Sequence, residues 1–146
     1  MNIRHAIPTD IPHMLPLLEQ LGYPTTAEGL ADRMRVYADQ EHYAVLVAEV
    51  DHQIVGIVAL IFSEHFTKKG KRCRVEVLVV DAAYRRMGIG RALIEHAEEL
   101  ARQKGCTSMG LTSGMRRAGE GTHDFYRSLG YANEGERAQV YLRKDL

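Results

Sequence analysis

Apolar and polar positions alternate with two different periods along this chain. Asn2 to Ala6 alternates at a period of two and predicts a short first strand. Ile11, Met14, Leu15, Leu18 and Leu21 then recur at helical spacing, with Thr9 or Asp10 placed to cap the start. Pro12 suits the first turn, whereas Pro16 lies inside the pattern and predicts a kink or early break. Gly22 closes the helix. Thr25 and Glu28 have the spacing of a capping box for a second helix, whose inner side carries Leu30, Met34 and Tyr37 or Ala38. Glu41–Val50 and Gln53–Phe62 read as paired strands around Asp51-His52. Gly56 inside the second predicts a bulge or a close backbone approach.

Ser63 to Arg72 is polar and basic. A solvated hairpin tip is its plainer reading, and contact with a substrate or cofactor phosphate is the other. Cys73 to Val80 is the third strand of the meander. From Ile89, the positions Ala92, Leu93, His96, Ala97, Leu100 and Ala101 form one stripe of a helix that Lys104 and Gly105 close. Cys106–Thr112 predicts a strand parallel to the preceding one. Thr122–Leu129 predicts a short helix, and Val140-Tyr141-Leu142 a last strand. The order is β-α-α-β-β-β-α-β-α-β, an α/β chain with a mixed sheet and helices on both faces.

With 146 residues, the chain has the size of one domain, 1–146. Apolar residues make up 45% and charged residues 26%, which excludes a disordered chain. The net charge is zero, so bulk electrostatics favour neither nucleic acid nor membrane as partner. No apolar run approaches the ~20 residues a spanning helix needs, and the N-terminus has no secretory apolar region. The two cysteines, Cys73 and Cys106, have no metal spacing, and the scattered histidines predict no metal site. A reduced, cytoplasmic protein is expected.

The chemistry is concentrated in Val75–Ala97. A β-branched run is followed by Asp81, then Arg85-Arg86-Met87-Gly88-Ile89-Gly90-Arg91 and a helix. Strand, glycine loop and helix start direct backbone N–H groups and a positive helix end at one spot, which suits a phosphate or pyrophosphate. A P-loop would need a lysine after Gly90. A dinucleotide fingerprint would need a small residue where Leu93 stands and an acid about 20 residues on. The loop Arg85-x-x-Gly88-x-Gly90 resembles instead the acyl-CoA motif of the GCN5-related N-acetyltransferase (GNAT) superfamily. Thr122-His123-Asp124-Phe125-Tyr126-Arg127-Ser128-Leu129-Gly130-Tyr131 resembles its second motif. The departures are Thr122 for alanine, Arg86 where glycine is common, and Ala82 where proline is common.

The resemblance implies the GNAT fold, with a sheet splayed beside its central strand, and acetyl-CoA as co-substrate. It places the acetyl carbonyl and pantetheine on the backbone of Leu78, Val79 and Val80. It places the pyrophosphate on Arg85, Arg86, Met87, Gly88, Ile89, Gly90 and Arg91. Tyr126 would be the general acid for the leaving thiolate, its plainer reading being a core aromatic. Glu76, inside an apolar run, would be the base, directly or through water, or else a structural partner of Arg74. His123 would relay a proton or touch the cofactor, or pack at a helix end; His65 is a weaker candidate.

The implied reaction is direct attack by a primary amine of a small molecule. A protein amine, or an acyl-CoA sensor without turnover, is the alternative. The acceptor pocket would be lined by Leu21–Tyr37, Ser63–Arg72 and Ser113–Glu120. Thr112-Ser113-Gly114-Met115-Arg116-Arg117 resembles enzymes acting on small amines such as aminoalkylphosphonates. A homodimer is left open.

Overall fold

The structure is a computed structural model that describes residues 1–113 and 121–146, with the backbone alone at 137. Two compact units, Met1–Met109 and Gly110–Leu146, are described each by itself. The elements are β1 (Asn2–His5), α1 (Ile11–Leu21), α2 (Ala27–Tyr37), β2 (Tyr43–Val50), β3 (Gln53–Glu64), β4 (Lys71–Val80), α3 (Ile89–Gln103), β5 (Cys106–Leu111) and α4 (Thr122–Ser128). The strands form one mixed sheet in the order β1-β2-β3-β4-β5. The first four are joined by antiparallel ladders. The start of β5 lies beside the start of β4, where Thr107 Oγ1 donates to Lys71 O at 3.4 Å.

Both faces of the first unit's sheet are covered. Against α1 and α2 lies a cluster of Ile11, Met14, Leu17, Leu30, Val47, Ile54, Ile57 and Val79. On the other face, a Cβ on Gly56 would stand 2.8 Å from Leu93 Cδ1 and 3.2 Å from Ile89 Cγ2. Gly56 is therefore the close approach of β3 to α3, and Val55 beside it is the unpaired residue of a bulge: Ala48 pairs with Gly56 and Glu49 with Ile54.

Asp51 and His52 both take left-handed φ values, 47° and 64°, and turn β2 into β3 without glycine. Gly22, with φ 100°, ends α1. Its N–H reaches Glu19 O and that of Tyr23 reaches Leu18 O, satisfying carbonyls that the helix leaves free. α1 continues through Pro16.

Several expectations need correction. Leu17, outside the anticipated stripe, is the most buried residue of α1; Ile94 likewise is buried in α3, whereas His96 is exposed. The broad face that packs on a sheet is wider than a stripe of strict i, i+3, i+4 positions. The second helix is capped by Thr26, whose Oγ1 accepts from Gly29 N at 3.0 Å, not by Thr25. Asp10 does not cap α1; its carboxylate turns back to Ile7 N (2.8 Å) and to Arg4. The anticipated last strand does not form: Val140, Tyr141 and Leu142 are exposed. The backbone N–H and C=O of Gln139 just before them are both taken by the Asn133 side chain, at 2.6 and 2.9 Å, so a strand ladder cannot use them.

Candidate active site

β4 carries the first half of the site. Its pairing with β3 slips by one residue: Leu60 opposes Val75, but Ala59 opposes Val77. Glu76 is the extra residue. Side-chain parity on a strand changes with each residue, so this insertion alters which face the rest of β4 presents. Val75 opposes Leu60 on the α3 face. Val77 and Val79, opposite Ala59 and Ile57, belong to the α1–α2 face and pack on its cluster. Leu78 and Val80 return to the α3 face opposite Val58 and Gly56.

Glu76 projects a charge from this run of apolar neighbours. It is half-exposed, with Oε2 accepting from Arg74 Nε at 3.2 Å. The pairing that the sequence left open as a structural alternative is therefore present, on a carboxylate that water and a ligand can still reach.

The loop after β4 carries the second half. Asp81 anchors it: its N–H reaches Val55 O (2.8 Å), and its Oδ1 accepts from Ala83 N (3.0 Å). Ala82 N donates to Gln20 Oε1 at 2.9 Å, which ties the last turn of α1 to the start of the loop. Arg85 Nε reaches Val80 O at 3.4 Å. Arg86 has φ 63° and Gly88 φ 80°, both left-handed. That accounts for a glycine at Gly88, where an added Cβ would meet nothing within 4 Å: backbone conformation, not space, selects it.

Gly88 is the N-cap residue of α3 and brings no side chain to cap it. The first N–H groups of a helix have no acceptor within it, so the amides beginning at Ile89 stay available to a ligand. The Ile89 side chain is buried, leaving only its backbone for such a role. Arg85, Arg86 and Met87 are exposed. Arg91 leans along the helix to Glu95 at 3.7 Å. An uncapped, left-handed loop with exposed guanidiniums fits an anionic diphosphate.

In the second unit, α4 carries Tyr126 and His123. Gly121, with φ 77°, precedes the helix, and Gly130, with φ 94°, follows it. Tyr126 contacts Phe125 edge-on at 5.2 Å between centroids and Tyr131 at 6.1 Å; the N–H of Tyr131 returns to Tyr126 O. Phe125 and Tyr126 are both half-buried, so neither is the sole core aromatic of this helix. His123 Nε2 is buried without a hydrogen-bond partner among the described residues. Arg116 and Arg117, with the rest of 114–120, lie outside the described residues. His65 sits at the turn between β3 and β4, its N–H bonded to Gly70 O. Among the described residues no helix is long and apolar enough to cross a membrane.

Pattern reading placed Tyr37 on the inner side of α2 and at the end of the expected pocket lining, but missed Tyr43 and the pairing of the two rings near Glu76. Tyr37 and Tyr43 pack with ring centroids 4.5 Å apart and planes tilted by 37°. Burial, with Glu76 nearby, raises the Tyr37 phenol above its ordinary value. Their signal was present as two aromatics bracketing the α2–β2 connection, but sequence spacing alone does not bring them to β4.

The profile of the Acetyltransferase (GNAT) family matches residues 14–131. A glucosamine 6-phosphate N-acetyltransferase of Trypanosoma brucei brucei is 36% identical over 121 residues, 78% of this chain and 79% of that protein. An aminoglycoside N(6')-acetyltransferase type 1 of Acinetobacter haemolyticus is 28% identical over 148 residues, 99% of each chain. The chain spans half or less of the length of several vertebrate N-acetyltransferases that it also matches. The fold is that of a GNAT family acetyltransferase from Staphylococcus aureus, at a TM-score of 0.82 and 22% identity over 99% of this chain and 98% of that one. The family match, the relatives and the fold agree, and the chain belongs to the GNAT family of acetyltransferases, as an N-acetyltransferase.

Proposed function

We propose that the chain, acting as one catalytic domain over residues 1–146 in the cytoplasm, transfers the acetyl group of acetyl-CoA to a primary amine of a small molecule by direct attack. The observation that carries this reading is Glu76. The bulge that holds it sets a reachable carboxylate on the face beneath α1 and α2, and the same strand runs on into the uncapped start of α3.

The α3 start supplies amides between Arg86 and Arg91, and the guanidiniums of Arg85 and Arg86 supply counter-charge for the pyrophosphate. Arg91 joins them by leaving Glu95, an exposed pair whose separation costs about 1 kcal/mol or less. The backbone of Leu78–Val80 serves the pantetheine arm and the acetyl carbonyl, entering where the sheet would splay beside β4. A strand-end N–H is a suitable donor to the oxyanion that forms there.

An ammonium has no lone pair, so the acceptor must first lose a proton; Glu76, directly or through a water, takes it. The amine nitrogen then bonds to the thioester carbon, the C–S bond breaks, the thiolate takes a proton from Tyr126 O–H, and the second proton shed by the new amide nitrogen restores the phenol, directly or through water. His123 stands one turn before Tyr126 and serves proton relay or cofactor contact. Neither motif contains a cysteine, so the acetyl group passes in one step without an acyl-enzyme.

The names of two relatives favour an amine on a sugar: a glucosamine 6-phosphate and an aminoglycoside enzyme. The test is thiol release from acetyl-CoA with glucosamine 6-phosphate, kanamycin, an aminoalkylphosphonate and a lysine peptide as acceptors. Release with one of the first three supports a small-molecule acetyltransferase. Release with the peptide alone moves the acceptor to protein. Calorimetric acetyl-CoA binding with no release from any amine favours the sensor and overturns the reading.

A further inference from the structure

The three central strands carry a rung whose composition differs from the core around it. Tyr43 of β2 opposes Ile61 of β3, and Ile61 opposes Arg74 of β4. Parity places all three on the α1–α2 face: Ile61 is an even number of residues from Ile57 and Ala59, which oppose Val79 and Val77 on that face. Strands lie about 4.8 Å apart, so Tyr43 and Arg74 stand roughly 10 Å apart with Ile61 as the floor between them. Every residue from Ile54 to Leu60 is buried, as is Phe62; Ile61 alone in that run is half-buried. The sheet is thus uncovered at this rung.

One side of the opening is aromatic. Tyr37 leans from the last turn of α2 onto Tyr43, their planes tilted by 37°. The opposite side is the Arg74–Glu76 pair, held at 3.2 Å with both side chains nearly half-exposed. Arg33, on α2 one turn before Tyr37, also acts on the Tyr37 phenol and opposes the raising effect of Glu76. A corner with an apolar floor, two phenol rings on one side and a carboxylate on the other has the parts that recognise an organic ammonium, which would take the place of the exposed Arg74 guanidinium on Glu76. The rings offer negative faces to a cation, and the carboxylate offers its counter-charge.

We propose that this corner is the acceptor's recognition site and takes the amine in its ammonium form, with the ring faces of Tyr37 and Tyr43 as the specificity-determining surface and Glu76 as counter-charge. This rests on the reading of Glu76 as the group that meets the acceptor. Accepted amines are cations when they arrive, so an amine of low basicity is a poor acceptor even where it is the better nucleophile.

Tetramethylammonium is the probe, because it carries the charge and has no proton to lose and no nitrogen lone pair. Its binding is followed by chemical shifts of the folded protein, without turnover, and by inhibition kinetics. It is expected to compete with the accepted amine and not with acetyl-CoA. Its affinity is expected to fall about tenfold in Tyr37→Leu and in Tyr43→Leu, and to stay within about twofold in Tyr37→Phe, which keeps the ring. Thermal melts establish that each variant is folded, and the second leucine variant stands in if one is not.

Tetramethylammonium affinity that stays at the wild-type value in both leucine variants overturns the proposal. So does a loss in Tyr37→Phe as large as in Tyr37→Leu, which would assign recognition to the hydroxyl, and so does equally tight binding of neutral tert-butanol. Full turnover in Glu76→Gln removes the base reading, whereas the probe's affinity in that same variant reads the counter-charge and its affinity in the leucine variants reads the rings, so the two readings fail separately.

Discussion

Arg74 Nε donates to Glu76 Oε2 from two positions earlier on the same strand, 3.2 Å away, with the two side chains 47% and 42% exposed. An ion pair so open contributes about 1 kcal/mol or less to folding. Its value lies in where it keeps the carboxylate.

Replacing Glu76 by Gln is therefore expected to leave the melting temperature within a degree or two and to lower kcat by about 10²-fold or more, the usual scale for losing a general base. Stopped-time thiol release and a thermal melt on one preparation check both halves. A variant that melts early but turns over normally reverses the assignment.

Tyr126→Phe should lower turnover by about 10²-fold while acetyl-CoA affinity changes little, since only the acidic proton is removed. The ring contacts to Phe125 and Tyr131 do not involve the hydroxyl, so the helix should persist. Turnover unchanged across pH 6–9 would take Tyr126 out of the acid role.

Arg86 is a non-glycine residue at φ 63°. A left-handed residue with a Cβ is strained by about 1–2 kcal/mol, and a new glycine gives back about half of that through the unfolded chain. Arg86→Gly is expected to raise stability by about 0.5–1 kcal/mol. The same change should weaken acetyl-CoA binding several-fold if, as proposed, this guanidinium supplies counter-charge to the diphosphate. Denaturant midpoints and calorimetry measure opposite signs; a variant weaker in both would show that the side chain, not the strain, governs this position.

Arg4 grips Asp10 through two nitrogens at 2.8 and 2.9 Å and reaches Glu49 at 3.0 Å. Asp10 is 5% exposed, and the Arg4 guanidinium holds its carboxyl below the usual range. A carboxyl with a depressed folded pKa adds stability that is complete above its unfolded value, about 3.9, and is lost as pH falls through the folded value. Asp10→Asn should cost about 2–4 kcal/mol at pH 7, and the gap from wild type should shrink in acid. Urea titrations at pH 7 and pH 3 test this, and a gap that widens in acid would reverse the sign.

Gly56→Ala would place a Cβ 2.8 Å from Leu93 Cδ1 and 3.4 Å from Val79 O. The leucine methyl can yield, the carbonyl less so. A loss of about 1–3 kcal/mol is expected, together with weaker acetyl-CoA binding as the start of α3 is displaced. Melting and calorimetry should move together; a melt loss with unchanged binding would uncouple the helix start from the strand.

Local chemistry made much of this fold legible. Gly22, the Asp51-His52 reversal and Gly105 each need a backbone conformation that few residues adopt well, so residue type reports geometry there. Thr25 and Thr26 could not be ranked because adjacent threonines offer the same cap, and the choice depends on where the first turn closes. The slip at Glu76 was invisible because Val75, Val77, Leu78, Val79 and Val80 are apolar on both faces, so the run has no period to break. The Tyr37–Tyr43 pair depends on how α2 crosses the sheet, which no local spacing encodes. Arg85 to Gly90 was readable for the opposite reason: its glycines and cations lie side by side in the chain.

The extra residue in β4 works as a reading frame does. Everything from Val77 onward is read one position out of phase with what precedes it. Substituting Glu76 changes one letter and leaves the phase. Deleting it would close the bulge into a regular ladder, with Val77 and Val79 still opposite Ala59 and Ile57 and Leu78 and Val80 still opposite Val58 and Gly56. Substitution and deletion at this one position would thus report on separate things, the carboxylate in the first case and the bulge itself in the second.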